Sequence, residues 1–313
     1  MTASGLGTTL AYRARSTLHQ VHRLPILTGV LTPLGQSSVE NFLLVGSDSR
    51  VGAEPNDPDF GGIGDATSTT GQRSDTIMVM RYDHAAGTAA LLSLPRDLWV
   101  EIGSTGRKNR INSAYSDGPE VLVATVQQAL GIPLHHYVEV DFQGFKRLVD
   151  AIGGVDVCFE FPARDGHTGL QIDDPGSQRL GGVAALQYAR SRYYEEFRDG
   201  EWRVDGTADL GRTARQQDFV TSAIHQVAGA VGANPFRAAG VLSAVVDSIA
   251  VDADLDLTVM ARELRAAAGA GVQTFPLPVQ PDTIKGKAVL TVQVPEALPV
   301  IAYFQGPGPV PGS

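Results

Sequence analysis

Residues 136–161 read HYVEVDFQGFKRLVDAIGGVDVCFEF, and this stretch sets the fold class. The alternation of apolar and polar residues in 136–142 is typical of a strand, and the apolar run 155–161 predicts a second one. Between them, residues 141–154 have the pattern of a helix that Asp141 caps at its start and a glycine pair ends. A strand, a helix and a strand in direct succession predict an α/β domain.

The same interleaving continues over most of the chain. Apolar runs at 41–46, 75–83, 88–97 and 98–102 predict strands, and residues 84–87 form the turn of a hairpin. Further helices are predicted at 118–131, 179–189, 208–232, 236–250 and 256–269, and closing strands at 272–277 and 288–294. We therefore expect a single α/β domain over residues 39–304, with a central mixed β-sheet flanked by helices, and a disordered Gly/Pro-rich tail at 305–313.

Composition narrows the possible functions. The chain has 313 residues, 43% of them apolar, and its net charge of −9 argues against nucleic-acid binding. It contains no apolar run long enough to predict a transmembrane helix. The single cysteine, Cys158, excludes an intrachain disulfide and a cysteine metal site, and we expect a buried core thiol. The seven histidines show no spacing typical of a metal site.

Charged residues cluster at four places where strands or helices are predicted to begin or end. They are Asp48 and Arg50; Arg73 and Asp75; Arg96 with Arg110 and Asn112; and Arg190 and Arg192 with Asp209, Arg212, Arg215 and Gln216. Singly, each has an ordinary structural interpretation as a turn, a surface ion pair, a hairpin exit or a charged helix end. We expect the helix before Arg190 to end at Tyr188 or Ala189. In an extended segment, Arg190 and Arg192 would then point the same way.

Together, the four clusters indicate chemistry on a phosphorylated substrate. Several guanidinium groups in one place repel each other unless a polyanion lies between them, and their rigid donor fork matches phosphate oxygens. Two carboxylates beside phosphate oxygens are a usual setting for Mg²⁺. This combination suggests phosphoryl transfer from a diphosphate, in which the metal and the guanidinium groups take up developing charge.

Seven motifs follow one another in a fixed order along residues 40–232. They are NFLLVGSDSR, RSDTIMVMRYD, LLSLPRDLWVEI, RINSAYSDG, HYVEVDFQGFKRLVDAIGGVDV, LGGVAALQYARSR and DLGRTARQQDFV. In residues, order and approximate spacing they resemble the LytR–CpsA–Psr family. The resemblance implies a central mixed sheet with flanking helices that enclose an apolar tunnel for a polyprenyl chain.

The resemblance also implies a function. Family members resemble Mg²⁺-dependent (or Mn²⁺-dependent) phosphotransferases that act outside the cytoplasmic membrane, on its surface. They take a glycan polymer from a polyprenyl-diphosphate carrier and join it to peptidoglycan through a phosphodiester. The expected partners are therefore the lipid-linked glycan, the peptidoglycan acceptor and the membrane surface, with no nucleic acid. The arginine-rich motifs suggest an actinobacterium, where the polymer would be arabinogalactan, a teichoic-acid-like polymer or a capsule.

Site residues follow from the motifs one by one. By resemblance, Asp48 and Asp75 would hold the metal. The residues that would bind the diphosphate are Arg73, Arg96, Arg190, Arg192, Arg212 and Gln216, of which Arg73, Arg96, Arg190 and Arg192 join Asp75 as the catalytic set. Supporting roles would fall to Arg50, Asp209, Arg110 and Arg215. Asp75 is also a candidate base, although metal ligation competes with that role.

The chain departs from the family pattern at some places. The family's usual transmembrane helix before the domain is missing, so residues 1–38 are interpreted as a membrane-proximal, partly disordered segment. The loops 51–72 and 193–208 are long, and the second is acidic. Arg110 replaces the usual Lys and Ser113 the usual His, which weakens any general-base role there.

Two alternatives to the ligase remain open at the sequence level. Water in place of the sugar hydroxyl would make the same site a polyprenyl-diphosphate pyrophosphatase or phosphohydrolase. A non-catalytic binder of lipid-linked glycans is the other, but the paired carboxylates Asp48 and Asp75 argue against it, since binding alone does not need them.

Overall fold

The strands predicted around residues 41–46 and 75–83 pair as the antiparallel centre of a seven-stranded sheet in the computed structural model. The structure describes residues 20–49, 74–206, 208–233, 241 and 243–311. The strands of the seven-stranded sheet are β1 His22–Leu24, β2 Val39–Ser47, β3 Ser74–Asp83, β4 Thr88–Ser93, β7 His136–Val140, β14 Ile249–Asp252 and β15 Val272–Pro276. Their order is β1-β14-β7-β2-β3-β4-β15, with parallel and antiparallel neighbours, so the predicted mixed sheet is confirmed.

The remaining elements flank this sheet. Smaller sheets contain β5 Trp99–Glu101, β6 Lys108–Arg110, β8 Val155–Phe159, β9 Ala163–Asp165, β10 Leu170–Ile172, β11 Gly176–Leu180, β12 Glu195–Arg198, β13 Glu201–Val204, β16 Val279–Ile284 and β17 Lys287–Val292. The helices are α1 Asn112–Ser116, α2 Pro119–Leu130, α3 Phe142–Ala151, α4 Gly182–Arg190, α5 Ala208–Ala233, α6 Leu257–Ala270 and α7 Val294–Gln305. None of the helices in the described part of the chain is long and apolar enough to cross a membrane.

Both faces of the central sheet are buried, because its side chains alternate between two cores. On β2, Leu43 and Val45 belong to a core that α1, α2 and α7 complete. Phe42 and Leu44 point the other way, into a core shared with α5 and α6. A third core joins α3 and α4 to β8–β11.

Strand directions create two different edges of the sheet. We call the upper edge the one where β2, β4 and β7 end and β3 begins, and the lower edge the one where β2 and β7 begin and β3 and β14 end. Residues that follow β2, β4 and β7 therefore meet residues at the start of β3. This topology brings the predicted site residues Asp48, Asp75 and Arg96 to one edge.

Close helix packing fixes the approach of α4 to this edge. At Gly182, a Cβ atom would lie 2.5 Å from the Lys146 carbonyl oxygen of α3, so only glycine permits the contact. The predicted N-cap of α3 is confirmed, since the Asp141 side chain accepts a hydrogen bond from the Gly144 amide at 2.6 Å. The first contact holds the start of α4 against the middle of α3, and the second fixes the start of α3 itself.

The structure corrects some of the predictions. Cys158 is exposed rather than buried, because the alternation along β8 places Val157 and Phe159 inside and the thiol outside. Ile249 and Ala250, expected at the end of a helix, belong to β14. In the rest of that predicted helix, residues 241 and 243–246 are helical as expected, whereas 236–240 and 242 lie outside the described residues.

Element ends also differ from the expected bounds. Helix α4 continues through Arg190, one residue beyond the expected end at Ala189. Strand β1 pairs with β14 although it precedes residue 39, where the domain was expected to begin. Gln305, expected to open the tail, is the last residue of α7.

Candidate active site

Asp75 is the centre of the upper edge. Its Oδ1 accepts hydrogen bonds from Arg96 Nη1 at 2.9 Å and from Arg192 Nη2 at 3.1 Å. Arg212, only 2% exposed, adds a third guanidinium group to the charge around this carboxylate. Burial opposes ionisation of Asp75, but Arg192, Arg212 and Arg96 outweigh it and hold its pKa below the ordinary value. Asp75 is therefore an ionised carboxylate that organises several arginines.

A cavity of about 50 Å³ opens beside Asp75. Arg190, Arg212 and Gln216 line it together with Asp75, so the structure brings these predicted residues to one place. The rest of its wall includes Phe142, Phe145 and Leu186. The Arg190 guanidinium lies 4.5 Å from the centre of the Phe142 ring, although Arg190 belongs to the helix and not to the extended segment after it. The apolar tunnel for a polyprenyl chain stays a prediction.

The buried carboxylate of Asp165 positions Arg192. Its Oδ2 accepts hydrogen bonds from the Ser191 hydroxyl at 2.6 Å and from the backbone amides of Arg192 at 3.0 Å and Tyr193 at 2.9 Å. Its Oδ1 accepts from the His167 amide, which closes a local turn. Sequence reasoning missed Asp165, and the only signal for it was the turn-like Asp165-Gly166 pair in front of this histidine.

Arg215 has a different place from the other arginines. It donates to the Ser191 carbonyl at 2.9 Å and to Asp205 at 2.7 Å, and its guanidinium lies over the Tyr194 ring. It lines a separate groove of about 760 Å³ beside the β12–β13 hairpin. Arg215 therefore holds the segment that carries Arg192 in place. The region 193–208, predicted as a long loop, contains the β12–β13 hairpin.

Arg110 connects to Arg96 through Asp97. Arg110 Nε lies 3.2 Å from Asp97 Oδ1, and Arg96 Nε lies 3.7 Å from Asp97 Oδ2. The backbone amide of Asn112 donates to the backbone carbonyl of Arg96 at 3.1 Å, which ties the start of α1 to the segment that follows β4. These contacts fix Arg96 in place rather than add donors at the cavity.

The two aspartates have the chemistry that a magnesium site needs. Asp48 directly follows β2, where Ser47 pairs with Ser74, the neighbour of Asp75. Asp75 is ionised, and its Oδ2 accepts no hydrogen bond from the residues that the structure describes. Two carboxylates on adjacent strand ends fit a hard divalent cation.

Tyr115 and Glu139 lie next to Asp48 on the other face of the sheet. The Tyr115 hydroxyl hydrogen-bonds to Glu139, and the Tyr137 hydroxyl donates to the same carboxylate at 2.8 Å. Burial first, and then the negative charges of Glu139 and Asp48, raise the pKa of Tyr115 far above its ordinary value. Tyr115 therefore stays a neutral hydrogen-bond donor beside the predicted metal ligand.

Some predicted residues cannot be placed. Arg50, Arg73 and the loop 51–72 lie outside the described residues. Asp209 lies near the start of α5, but its side chain is not described. The roles given to them stay predictions.

Comparison with known proteins gives a consistent picture. The sequence model of the LytR_cpsA_psr family matches residues 18–301. The chain is 34% identical over 269 residues to the probable cell wall biosynthesis protein LcpB of Corynebacterium glutamicum, which covers 85% of this chain and 59% of that protein. It is also 34% identical over 196 residues to the polyisoprenyl-teichoic acid–peptidoglycan teichoic acid transferase TagU of Halalkalibacterium halodurans, which covers 62% of this chain and 60% of TagU.

Solved structures share the fold. The LytR-Csp2A-Psr enzyme from Actinomyces oris superposes with a TM-score of 0.70 at 23% identity, covering 92% of this chain and 96% of that one. The chain thus spans nearly all of that solved domain, but only about 60% of the length of the curated relatives LcpB and TagU.

Proposed function

The chain belongs to the LytR–CpsA–Psr family, and on that premise we propose that it transfers a glycan polymer from a polyprenyl-diphosphate carrier to peptidoglycan. In this proposal, the reaction takes place at the outer surface of the cytoplasmic membrane. The name of its relative TagU, a polyisoprenyl-teichoic acid–peptidoglycan transferase, supports this reaction class.

One observation carries the proposal: Asp75 gathers the guanidinium groups of Arg96, Arg192 and Arg212, of which Arg212 is buried and the other two are partly exposed. The guanidinium groups around Asp75 present several donors to one place, and the oxygens of a diphosphate can accept from several of them at once. Arg190, on the wall of the same cavity, adds a fourth donor group. The site is therefore prepared for a ligand with more than one negative charge.

In the proposed reaction, a hydroxyl of a peptidoglycan sugar attacks the phosphorus that carries the glycan. A new oxygen–phosphorus bond forms, the bond to the bridging oxygen breaks, and the carrier leaves as polyprenyl phosphate. The arginines hold the diphosphate in line and stabilise the charge that grows on its oxygens. Because three guanidinium groups keep the pKa of Asp75 low, Asp75 is a weak base, and we assign the proton of the hydroxyl to the surrounding solvent.

Asp48 and Asp75 would hold Mg²⁺ or Mn²⁺, which when bound supplies further charge stabilisation for the diphosphate. Gln216 donates to the Ala189 carbonyl at 2.9 Å, so its proposed part is to fix the end of α4 as well as to border the cavity. Arg215 binds the Ser191 carbonyl and Asp165 accepts from the Arg192 backbone amide, so both would position Arg192 through the backbone.

The test is transfer in a purified system with a polyprenyl-diphosphate-linked oligosaccharide and peptidoglycan fragments. We expect a phosphodiester-linked product that requires the acceptor. An Arg192→Lys variant should be about 10²-fold slower, because an ammonium group cannot offer two parallel N–H donors to the phosphate oxygens as a guanidinium group can. Arg179→Lys, in an exposed ion pair with Asp156, is the matched control. Turnover that ignores the acceptor and releases only phosphates would instead favour the pyrophosphatase.

A further inference from the structure

We propose that Glu40, His84 and Glu263 form a binding site for a divalent transition-metal ion at the lower edge of the sheet. One ligand atom from each residue can be chosen so that all three lie within 4.8 Å of one another. His84 Nε2 is 2.8 Å from Glu40 Oε2, and His84 Nδ1 is 3.4 Å from Glu263 Oε1. Metal bonds of about 2.0–2.2 Å to nitrogen and oxygen fit a cluster of this span.

The three residues come from separate elements. Glu40 lies near the start of β2, His84 directly follows β3, and Glu263 lies on α6. About seven residues of β2 separate Glu40 from Ser47, and at about 3.4 Å per residue the cluster is roughly 24 Å from the upper edge. It is therefore a separate site from the one assigned to the diphosphate.

Glu263 occupies a position where an apolar residue would be expected. Met260, Leu264 and Ala267 lie on the same stripe of α6 and pack into the core. The Glu263 side chain is only 8% exposed, and its one recorded polar contact within the described residues is with His84 at 3.4 Å. A carboxylate buried this way is costly unless a cation compensates it, and Arg262, the nearest arginine in sequence, is exposed.

Outer contacts orient Glu40 toward the proposed ion. His136 Nε2 lies 2.9 Å from Glu40 Oε1, and His136 Nδ1 lies 3.1 Å from Asp252 Oδ2. Asp252 is in turn held by the backbone amides of Asp254 and Leu255. This chain occupies one oxygen of Glu40 and leaves Oε2 directed at His84, as the outer shell of a metal site does.

The ligand set selects the class of metal. One imidazole and two carboxylates suit Zn²⁺, Co²⁺ or Mn²⁺, whereas Mg²⁺ prefers oxygen ligands alone. Three protein ligands leave a fourth position for water in a tetrahedral Zn²⁺ site. The His84 side chain is 35% exposed, which gives the ion a path from solvent.

The experiment uses the full chain without a polyhistidine tag, with Zn²⁺ and Co²⁺ as probes. After dialysis against Zn²⁺, we expect about one bound ion per chain by elemental analysis, and a visible absorption band when Co²⁺ replaces it. Glu263→Gln and His84→Asn should lose the ion and the band. His225→Asn, at an exposed histidine on α5, should retain both.

Three results would overturn the proposal. The wild type could bind no Zn²⁺. Glu263→Gln and His84→Asn could bind as the wild type does, or His225→Asn could lose the ion. Glu263→Gln keeps the shape of the side chain, and circular dichroism establishes whether each variant is folded. None of these measurements depends on transferase activity.

Discussion

The upper and lower edges of the same sheet carry opposite arrangements of charge. At the upper edge, arginines gather around one aspartate, Asp75. At the lower edge, the carboxylates Glu40, Glu263 and Asp252 surround histidines. Strands β2 and β3 contribute to both edges, so the difference lies in the residues that follow or begin the strands rather than in the fold. In each case the arrangement is suited to a ligand of the opposite sign, an anion above and a cation below.

Removing the central carboxylate of the upper edge should have the largest effect. We expect Asp75→Asn to lower the transfer rate by about 10²–10³-fold, because the arginines lose their organiser and the metal loses a ligand. The same variant should bind inorganic diphosphate at least as well in the presence of a chelator, since the internal anion that competes for the guanidinium groups is gone. Transfer assays and the rise in melting temperature with diphosphate measure the two effects.

The opposite outcome is informative as well. If diphosphate stabilises the wild type but not Asp75→Asn in the presence of the chelator, the aspartate is needed to hold Arg96 and Arg192 in place for the anion. Normal transfer by Asp75→Asn would remove Asp75 from the proposed mechanism.

The second prediction concerns Asp165, which supports the upper edge without lining the cavity. Asp165→Asn should slow transfer about 10-fold and destabilise the protein by about 2 kcal/mol at neutral pH, because hydrogen bonds to a buried charge are lost. Burial opposes ionisation, but the Ser191 hydroxyl and the surrounding amides lower the pKa of Asp165. The folded pKa lies below the unfolded one, so its stabilisation is complete above pH of about 4 and is lost as the pH falls through the folded value.

Chemical denaturation at neutral and acidic pH checks this sign. The stability difference between the wild type and Asp165→Asn should shrink in acid. A difference that stays constant with pH would mean that the asparagine disturbs packing rather than a charge.

Much of the upper edge could be predicted from the sequence, because motif and strand pattern agree there. The apolar run before Asp48, the hairpin between Asp75 and Arg96, and the helix before Arg192 each mark a chain segment that ends at the site. Local pattern was enough to place these residues, since each segment carries a predicted site residue at one of its ends, and their roles stay predictions.

The lower edge could not be predicted in this way. Glu40 and His84 are 44 residues apart, and Glu263 lies in a helix near the end of the chain, so no local spacing connects them. The sequence spacing of the histidines therefore indicates no metal site, and the proposed cluster becomes visible only once the fold brings its three residues together. The prediction that Cys158 is buried was wrong for another reason. An apolar run can place either set of alternate side chains inside, and only the pairing of β8 with β11 decides which set that is.

The third prediction concerns the stability of the lower edge and the residue Glu263. In metal-free buffer, Glu263→Gln should be as stable as the wild type or more stable by about 1 kcal/mol, because it removes a poorly compensated buried charge. Zn²⁺ should raise the melting temperature of the wild type and leave the variant unchanged. Transfer activity should not change. A loss of stability in metal-free buffer would mean that the surrounding residues already compensate the carboxylate without an ion.

The smallest effect is expected for an ion pair that lies at neither edge. Arg179 Nε donates to Asp156 Oδ1 at 2.8 Å, in a geometry as good as that between Arg96 and Asp75. Both partners are exposed, however, so water and salt screen their charges and the pair prepares no site. We expect Arg179→Gln to leave transfer, Zn²⁺ binding and melting temperature unchanged. If it slowed transfer as much as Arg192→Lys, positive charge at the surface, rather than guanidinium groups desolvated around Asp75, would account for the activity.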